Sequence, residues 1–305
     1  MISVFTLYEK SYHLGVGALV NSLINCGYSG HVYIGYRDQK PPWISQLSRL
    51  GDCEYCCDSI HLHFFQVQTE MHLGFFKPFA ALEIFDGCRE IDALVYVDPD
   101  IVFLADWAFF KSWLRSGLAL VGDCTFDRIP AGHPWRNDWE CLLTEASLEI
   151  RNSTDIAFYV NGGFFGVSRE HSSLLHIWCK LTDVANGRFC DVSKYEMSTR
   201  TRSVVSDQDL INASLLAYPV QPVILGPEAM GFTGYDFVMS HAVGTPKPWN
   251  QVFAFESIKG NRPSRASEMW MQNTSGPIEV IVARSRLLKK VDMTMAKLIS
   301  RVWKR

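Results

Sequence analysis

The chain has 305 residues, 48% of them apolar and 20% charged, enough to bury a core as one large domain without disulfide support. A net charge of -3 and a pI near 6.3 exclude an overall field that draws in nucleic acid, so a small-molecule or surface-bound partner is expected. Nine cysteines, odd in number and scattered through apolar contexts such as Cys26, Cys88 and Cys179, fit reduced thiols in a cytoplasmic compartment.

In chain order, Met1 to Leu7 is a short β-like run with neither a basic n-region nor a long apolar core, so no signal peptide is expected. Val4 to Leu7, Val32 to Gly35 and Ala93 to Val97 have the composition of buried parallel strands. Between them, His13 to Cys26 and Phe75 to Phe85 carry helical periodicity, the first stopping at Gly27 and the second before Asp86-Gly87. Strands alternating with helices predict an α/β fold with a mostly parallel sheet covered on both faces.

Cys53-Glu54-Tyr55-Cys56-Cys57, followed by His61 and His63, bunches its candidate ligands in one segment instead of two separated pairs. That spacing favours a surface loop running into a strand, Ile60 to Phe65, over a zinc site. Pro130, Gly132 and Pro134 mark a loop around Trp135 and Trp139, and regular structure is expected to resume over Ile156 to Val160. Residues 1-283 read as one domain and 284-305 as a separate helix. On that helix Leu287, Leu288, Val291, Met295, Leu298, Ile299, Val302 and Trp303 form one face, and eight basic residues stand against the single Asp292. Such a helix suits an anionic membrane surface, which would make the protein peripheral on the inner face of the membrane; the alternative is packing of the apolar stripe on the body.

The chemistry concentrates in four segments. Asp98-Pro99-Asp100 sets two carboxylates directly after a buried strand, where open α/β sheets bind ligands, and such oxygens suit magnesium or manganese holding a diphosphate. Ser240 to Trp249 adds an imidazole, His241, and six residues on a phosphate-neutralising Lys247, with Gly244 between them. Phe158 to Gly166, with Asn161-Gly162-Gly163, suggests close approach of another segment or a ligand, or else a simple bulge. Ser206 to Asn212 brings Asp207 and Gln208 to the start of a helical run, where capping is the alternative role. Taken singly, an Asp-x-Asp also occurs in ordinary turns and a lone histidine is more often structural; the combination carries the weight.

In order and spacing these segments resemble the retaining glycosyltransferases of family 8, His-x-x-Gly-x-x-Lys-Pro-Trp being the most specific element. The resemblance runs from the first strand to Trp249 and implies the GT-A fold, a Rossmann-like arrangement, for residues 1-283. It implies a hexose transferred from a UDP-sugar to a glycan or glycolipid acceptor. Asp98, Asp100 and His241 would hold Mn2+ or Mg2+, with Lys247 and the Gly244 backbone on the diphosphate. Tyr12, after a one-residue shift, would stack on the nucleobase, and Thr6 and Lys77 would also serve the donor. Asn161, Gly163, Asp207 and Gln208 would surround the sugar, with Gln208 nearest the anomeric carbon. A nucleotidyltransferase would use similar carboxylates but leaves the His-to-Trp motif unexplained, and a non-catalytic nucleotide-sugar-binding scaffold is the rival from outside the enzymes.

Overall fold

The computed structural model describes residues 1–124, 126, 128–152, 158–195 and 203–302. Ile156 and Ala157, expected to begin a strand, and Trp303, expected at the end of the apolar helix face, lie outside the described residues.

The chain begins β1 (Ile2–Tyr8), α1 (His13–Asn25), β2 (Gly30–Tyr36), β3 (Ser48–Arg49), β4 (Glu54–Cys57), β5 (Ile60–Gln66), α2 (Leu73–Gly87) and β6 (Ala93–Val97). It continues β7 (Ile101–Phe103), α3 (Trp107–Leu114), β8 (Leu118–Gly122), α4 (Pro134–Glu145), β9 (Val160–Ser168), α5 (Ser173–Ala185) and α6 (Asp207–Ala217). The last elements are β10 (Val223–Leu225), β11 (Met239–His241), α7 (Phe253–Ile258), α8 (Arg265–Gln272) and α9 (Ala283–Val302). The expected strands and helices of the first hundred residues are all present, and β6 matches its predicted bounds. Cys53 to Cys57, expected as a loop, is corrected: β4 is a strand whose backbone pairs antiparallel with β5, Glu54 opposite His63 and Cys57 opposite Ile60. The loop expected around Trp135 and Trp139 is corrected too, since both rings are buried on α4, which opens with Pro134 at its start.

The chain divides into two compact units. The first comprises Met1–Leu7, Val67–Val97 and Ala108–Pro227. Its strands run in the order β10-β8-β9-β6-β1, with β8–β10 and β6–β1 parallel and only β9 reversed. Every residue of β6 and β8 is buried, which is why these strands read as continuous apolar runs. A ladder of rings fixes the centre of this unit: Phe5 to Tyr96 at 5.0 Å, Tyr96 to Phe165 at 5.2 Å, Phe165 to Trp178 at 5.4 Å between centroids. Helix α2 packs on β6 and α6 on β9, so the expected α/β architecture of a mostly parallel sheet flanked by helices is present.

The second unit comprises Tyr8–Gln66, Asp98–Trp107 and Glu228–Arg305. Here β2 and β5 are parallel, β4 and β3 add antiparallel, and β7 pairs with β11 in a separate two-stranded ladder. Ala18 of α1, Val102 of β7, Trp249, Phe253 of α7, Met269 and Trp270 of α8 and Met293 and Ala296 of α9 share one core. The buried Asn21 amide ties α1 to the C-terminal region, donating to the carbonyls of Asn273 at 2.9 Å and Ile278 at 2.8 Å. Helix α9 uses the face opposite its predicted apolar stripe for packing: Met293, Ala296 and Ser300 are buried, whereas Leu287, Leu288, Val291, Met295, Leu298 and Val302 are exposed. Asp292 caps α7, accepting from the Phe253 and Ala254 amides at 2.7 and 2.9 Å.

Candidate metal centre

The second unit assembles Asp98, Asp100 and His241 through the β7–β11 ladder. His241 stands opposite Ile101, the residue that follows Asp100, and the Ala242 amide donates to the Asp100 carbonyl at 3.0 Å. Each of the three offers a ligand atom, and these atoms all lie within 4.8 Å of one another. His241 Nε2 is 3.3 Å from Asp100 Oδ1 and 3.9 Å from Asp98 Oδ2. Two carboxylates and an imidazole form a donor set that fits manganese or magnesium. His241 Nδ1 is buried without a partner among the described residues.

Lys247 reaches the Asp100 carboxylate, its Nζ 2.5 Å from Asp100 Oδ2 and 2.9 Å from the Ala242 carbonyl. Burial alone would raise the Asp100 carboxyl, but His241 and Lys247 outweigh it and hold it well below the usual carboxylate range. Burial likewise works against the Lys247 ammonium, yet attraction to Asp100 keeps its pKa raised, so the lysine is charged. Gly244 has a φ of 83°, a left-handed conformation that glycine alone adopts without strain, and a Cβ there would meet nothing within 4 Å. Tyr12 is half-buried, edge-on to Trp249 with centroids 5.2 Å apart, and Lys247 Nζ lies 5.8 Å from its ring centre. Trp249, the end of the His-to-Trp motif, is a packing anchor: its indole N–H donates to Ser11 Oγ at 3.2 Å and its ring meets Trp270.

Sequence reasoning missed the residue that seats the Asp-Pro-Asp turn. Gly15 on α1 lies so close to it that a Cβ would overlap the Pro99 carbonyl and touch Trp249 Cη2 at 3.0 Å. A glycine pair, Gly15 and Gly17, inside an otherwise apolar helix was the available signal.

The first unit gathers the residues expected around a sugar. Lys77 is buried on α2, its Nζ 2.7 Å from Asp207 Oδ2 and 2.9 Å from the Gly162 carbonyl, above the Tyr96 ring. Ser206 caps α6 in a capping box with Asp209, which leaves Asp207 at the first helical position to pair with Lys77. Gln208 Oε1 accepts from the Gly162 amide at 3.0 Å, and Asn161 Oδ1 accepts from the Gly163 amide at 2.8 Å. Gly162 fits closely here, since a Cβ would meet Asp207 Oδ2 at 3.1 Å and Gln208 Cα at 3.3 Å. Asp123, at the end of β8, accepts from Asn161 Nδ2 at 2.7 Å and joins the group unforeseen, although it follows a buried strand as Asp98 does. Thr6 is fully buried on β1, its hydroxyl without a partner among the described residues.

Two solved structures share this architecture. One is the apo structure of the WbbM bifunctional glycosyltransferase, 16% identical, covering 96% of this chain and 52% of that one, with a TM-score of 0.55. The other is the glycosyltransferase GlyE of Streptococcus pneumoniae TIGR4, 16% identical, covering 97% of this chain and 64% of that one, with a TM-score of 0.51. The fold is one that glycosyltransferases use. This chain spans from about half to just under two thirds of the length of those proteins. No protein-family model and no curated protein matches the sequence.

Proposed function

We propose that the protein is a metal-dependent retaining glycosyltransferase that moves a hexose from a UDP-sugar to a glycan acceptor, lipid-linked or of the cell envelope. The observation that carries this reading is the Asp98, Asp100 and His241 triad with Lys247 attached, on a fold shared with glycosyltransferases.

In this reading Asp98, Asp100 and His241 hold Mn2+ or Mg2+, which when bound supplies electrostatic stabilisation to the charge that develops on a departing diphosphate. Lys247 carries a charged ammonium to the same phosphates, and the unobstructed Gly244 backbone lets them approach. Tyr12 takes the nucleobase. Thr6 and Lys77 serve the donor, and Asn161, Gly163, Asp207 and Gln208 surround the sugar, with Gln208 nearest the anomeric carbon.

Retention proceeds by front-side attack. The bond from the anomeric carbon to the phosphate oxygen breaks, the bond to the acceptor oxygen forms on the same face, and the hydroxyl proton passes to the leaving phosphate oxygen. Asp207 is the less suited nucleophile because Lys77 already neutralises its carboxylate in a buried pair, which weakens it for attack.

The exposed stripe of α9, flanked by Lys290, Lys297 and Arg301, supports contact with an anionic lipid surface and thus a membrane-borne acceptor. No helix among the described residues is long and apolar enough to cross a membrane. Calorimetric titration of UDP with and without manganese tests the donor site. Manganese-dependent binding lost in Asp100→Ala and His241→Ala is the expected result, and absence of UDP binding under both conditions would leave a scaffold as the better reading.

A further inference from the structure

Alternation along the strands of the second unit sorts side chains onto two faces. Val32, Ile34, Leu62 and Phe64 are buried on one, which leaves His31 and Tyr33 of β2 and His61 and His63 of β5 on the other. Across the antiparallel pair, Glu54 stands opposite His63 and Cys56 opposite His61. Three of the nine histidines thus meet on one accessible surface, although His31 precedes His63 by 32 residues.

The geometry within this group is specific. His31 Nδ1 lies 2.7 Å from His63 Nε2, and Glu54 Oε1 lies 3.5 Å from His63 Nδ1. A carboxylate beside Nδ1 fixes the His63 tautomer with its proton there, so Nε2 presents a lone pair toward His31. The His61 ring stacks on His31 with centroids 5.2 Å apart, and Tyr33 stacks on His63 at 4.8 Å, holding the rings near parallel. A carboxylate that aims an imidazole at a second imidazole is how proteins orient ligands of divalent transition metals.

We propose that His31 and His63, with His61 as third donor and Glu54 orienting His63, bind a borderline transition-metal ion of the Zn2+, Ni2+ or Cu2+ class, at a site separate from Asp98, Asp100 and His241. Imidazole nitrogens select these ions, whereas manganese and magnesium prefer oxygen. Two nitrogens on a tetrahedral ion stand about 3.3 Å apart, so the pair opens modestly from its hydrogen-bonded distance. The His31 proton moves from Nδ1 to Nε2, a tautomer change that needs no net proton release. His61 is exposed and completes the set by turning toward the ion; among the described residues only the Asp98 group already brings three ligand atoms within 4.8 Å. The cysteines take no part, since Cys57 is buried on the opposite face and Cys56 Sγ donates to the Asp58 carbonyl. An ion here links β2 to β5 across their open face and acts as a staple, not a catalyst.

Zinc titration by calorimetry of the full-length Asp100→Ala variant, in which the other metal centre is disabled, tests the site. One equivalent should bind with a dissociation constant on the order of micromolar. In that background Glu54→Gln should weaken it about tenfold, and His31→Ala and His63→Ala should each abolish it. Zinc binding that is absent from Asp100→Ala, or that survives both imidazole substitutions made in it, overturns the proposal. Should the histidine variants fail to fold, the visible absorption of bound Co2+ in the unaltered protein decides: bands removed by zinc but retained in excess manganese support nitrogen ligation, and bands removed equally by manganese refute it.

Discussion

Lys247 Nζ sits 2.5 Å from Asp100 Oδ2, on the carboxylate whose other oxygen faces His241 Nε2 at 3.3 Å. One carboxylate therefore serves both a fixed ammonium and a candidate metal ligand set. A cation entering this site competes with the lysine for Asp100 until a diphosphate gives the lysine another anion to pair with. In the proposed function, metal and nucleotide would then favour each other's binding through a single side chain.

Replacing that lysine separates the two effects. Lys247→Met should bind Mn2+ about tenfold more tightly in the absence of nucleotide, equivalent to ~1.4 kcal/mol of removed competition. The same variant should bind UDP at least about tenfold more weakly in the presence of manganese, since a charged phosphate contact is gone. Calorimetry reads both constants. A variant with unchanged or weaker manganese affinity would show that the lysine supports the metal instead of opposing it.

Gly15→Ala should damage the centre from behind. The added methyl would push the Pro99 carbonyl, which belongs to backbone and cannot rotate aside, and with it both Asp98 and Asp100. Overpacking of this kind costs about 1–3 kcal/mol. Urea unfolding should register that loss, and manganese-dependent UDP binding should fall at least about tenfold beyond what the stability change explains. A variant with full nucleotide affinity would mean the turn has room to move.

These two residues also mark how far the sequence could be read. β1 and β6 were visible because strands buried on both faces spell nearly unbroken apolar runs, β2 showed through Val32 to Gly35 although its other face is open at His31 and Tyr33, and α1 announced its end at Gly27. Asp98, Asp100 and His241 were legible as chemistry through the spacing of two motifs. Their meeting was not, since it depends on β7 and β11, two three-residue strands too short to leave a periodic signal. Asp123 and Asp209 were missed because a single carboxylate beside a strand or helix end looks like any other until its partners, Asn161 and Tyr159, are placed. His31 was invisible as a neighbour of His63 because strand pairing, not spacing, joins them.

Lys77 and Asp207 form a pair with only 6% and 7% of their side chains exposed. Removing one partner leaves the other charged and buried, a cost of about 3–5 kcal/mol. Lys77→Met should therefore lower the urea midpoint steeply, and adding Asp207→Asn should restore a large part of it. Near-additive losses in the double variant would show that the two side chains matter separately, not as a pair.

The stripe on α9 offers a test in which folding should not interfere. Val291 and Leu298 are exposed, so Val291→Asp with Leu298→Asp should change stability by no more than about 0.5 kcal/mol per site. Binding to vesicles containing anionic lipid should nonetheless drop at least about tenfold, as both apolar contact and charge attraction weaken. Sedimentation with such vesicles measures this. Equal partitioning of the variant and the unaltered protein would exclude α9 as the contact.

Asp209 supplies a prediction about pH. Burial pushes its carboxyl up to about 6, held back by hydrogen bonds from the Tyr159 hydroxyl at 2.5 Å and from the Val205 and Ser206 amides. Because the folded value exceeds the unfolded one of about 3.9, the folded chain retains a proton across that window which the unfolded chain has released. The contribution to stability is present in full below about pH 4, declines as pH rises toward 6, and is absent above it. Roughly two pKa units correspond to ~3 kcal/mol. Asp209→Asn keeps an acceptor for the Ser206 amide and cannot ionise, so it lacks this dependence. Urea unfolding at about pH 4.5 and about pH 7 should show the unaltered protein losing about 2 kcal/mol relative to the variant on going to the higher pH. A constant difference would mean that Asp209 is ionised throughout, sustained by the donors around it, and that the α6 capping box binds a carboxylate and not a carboxylic acid.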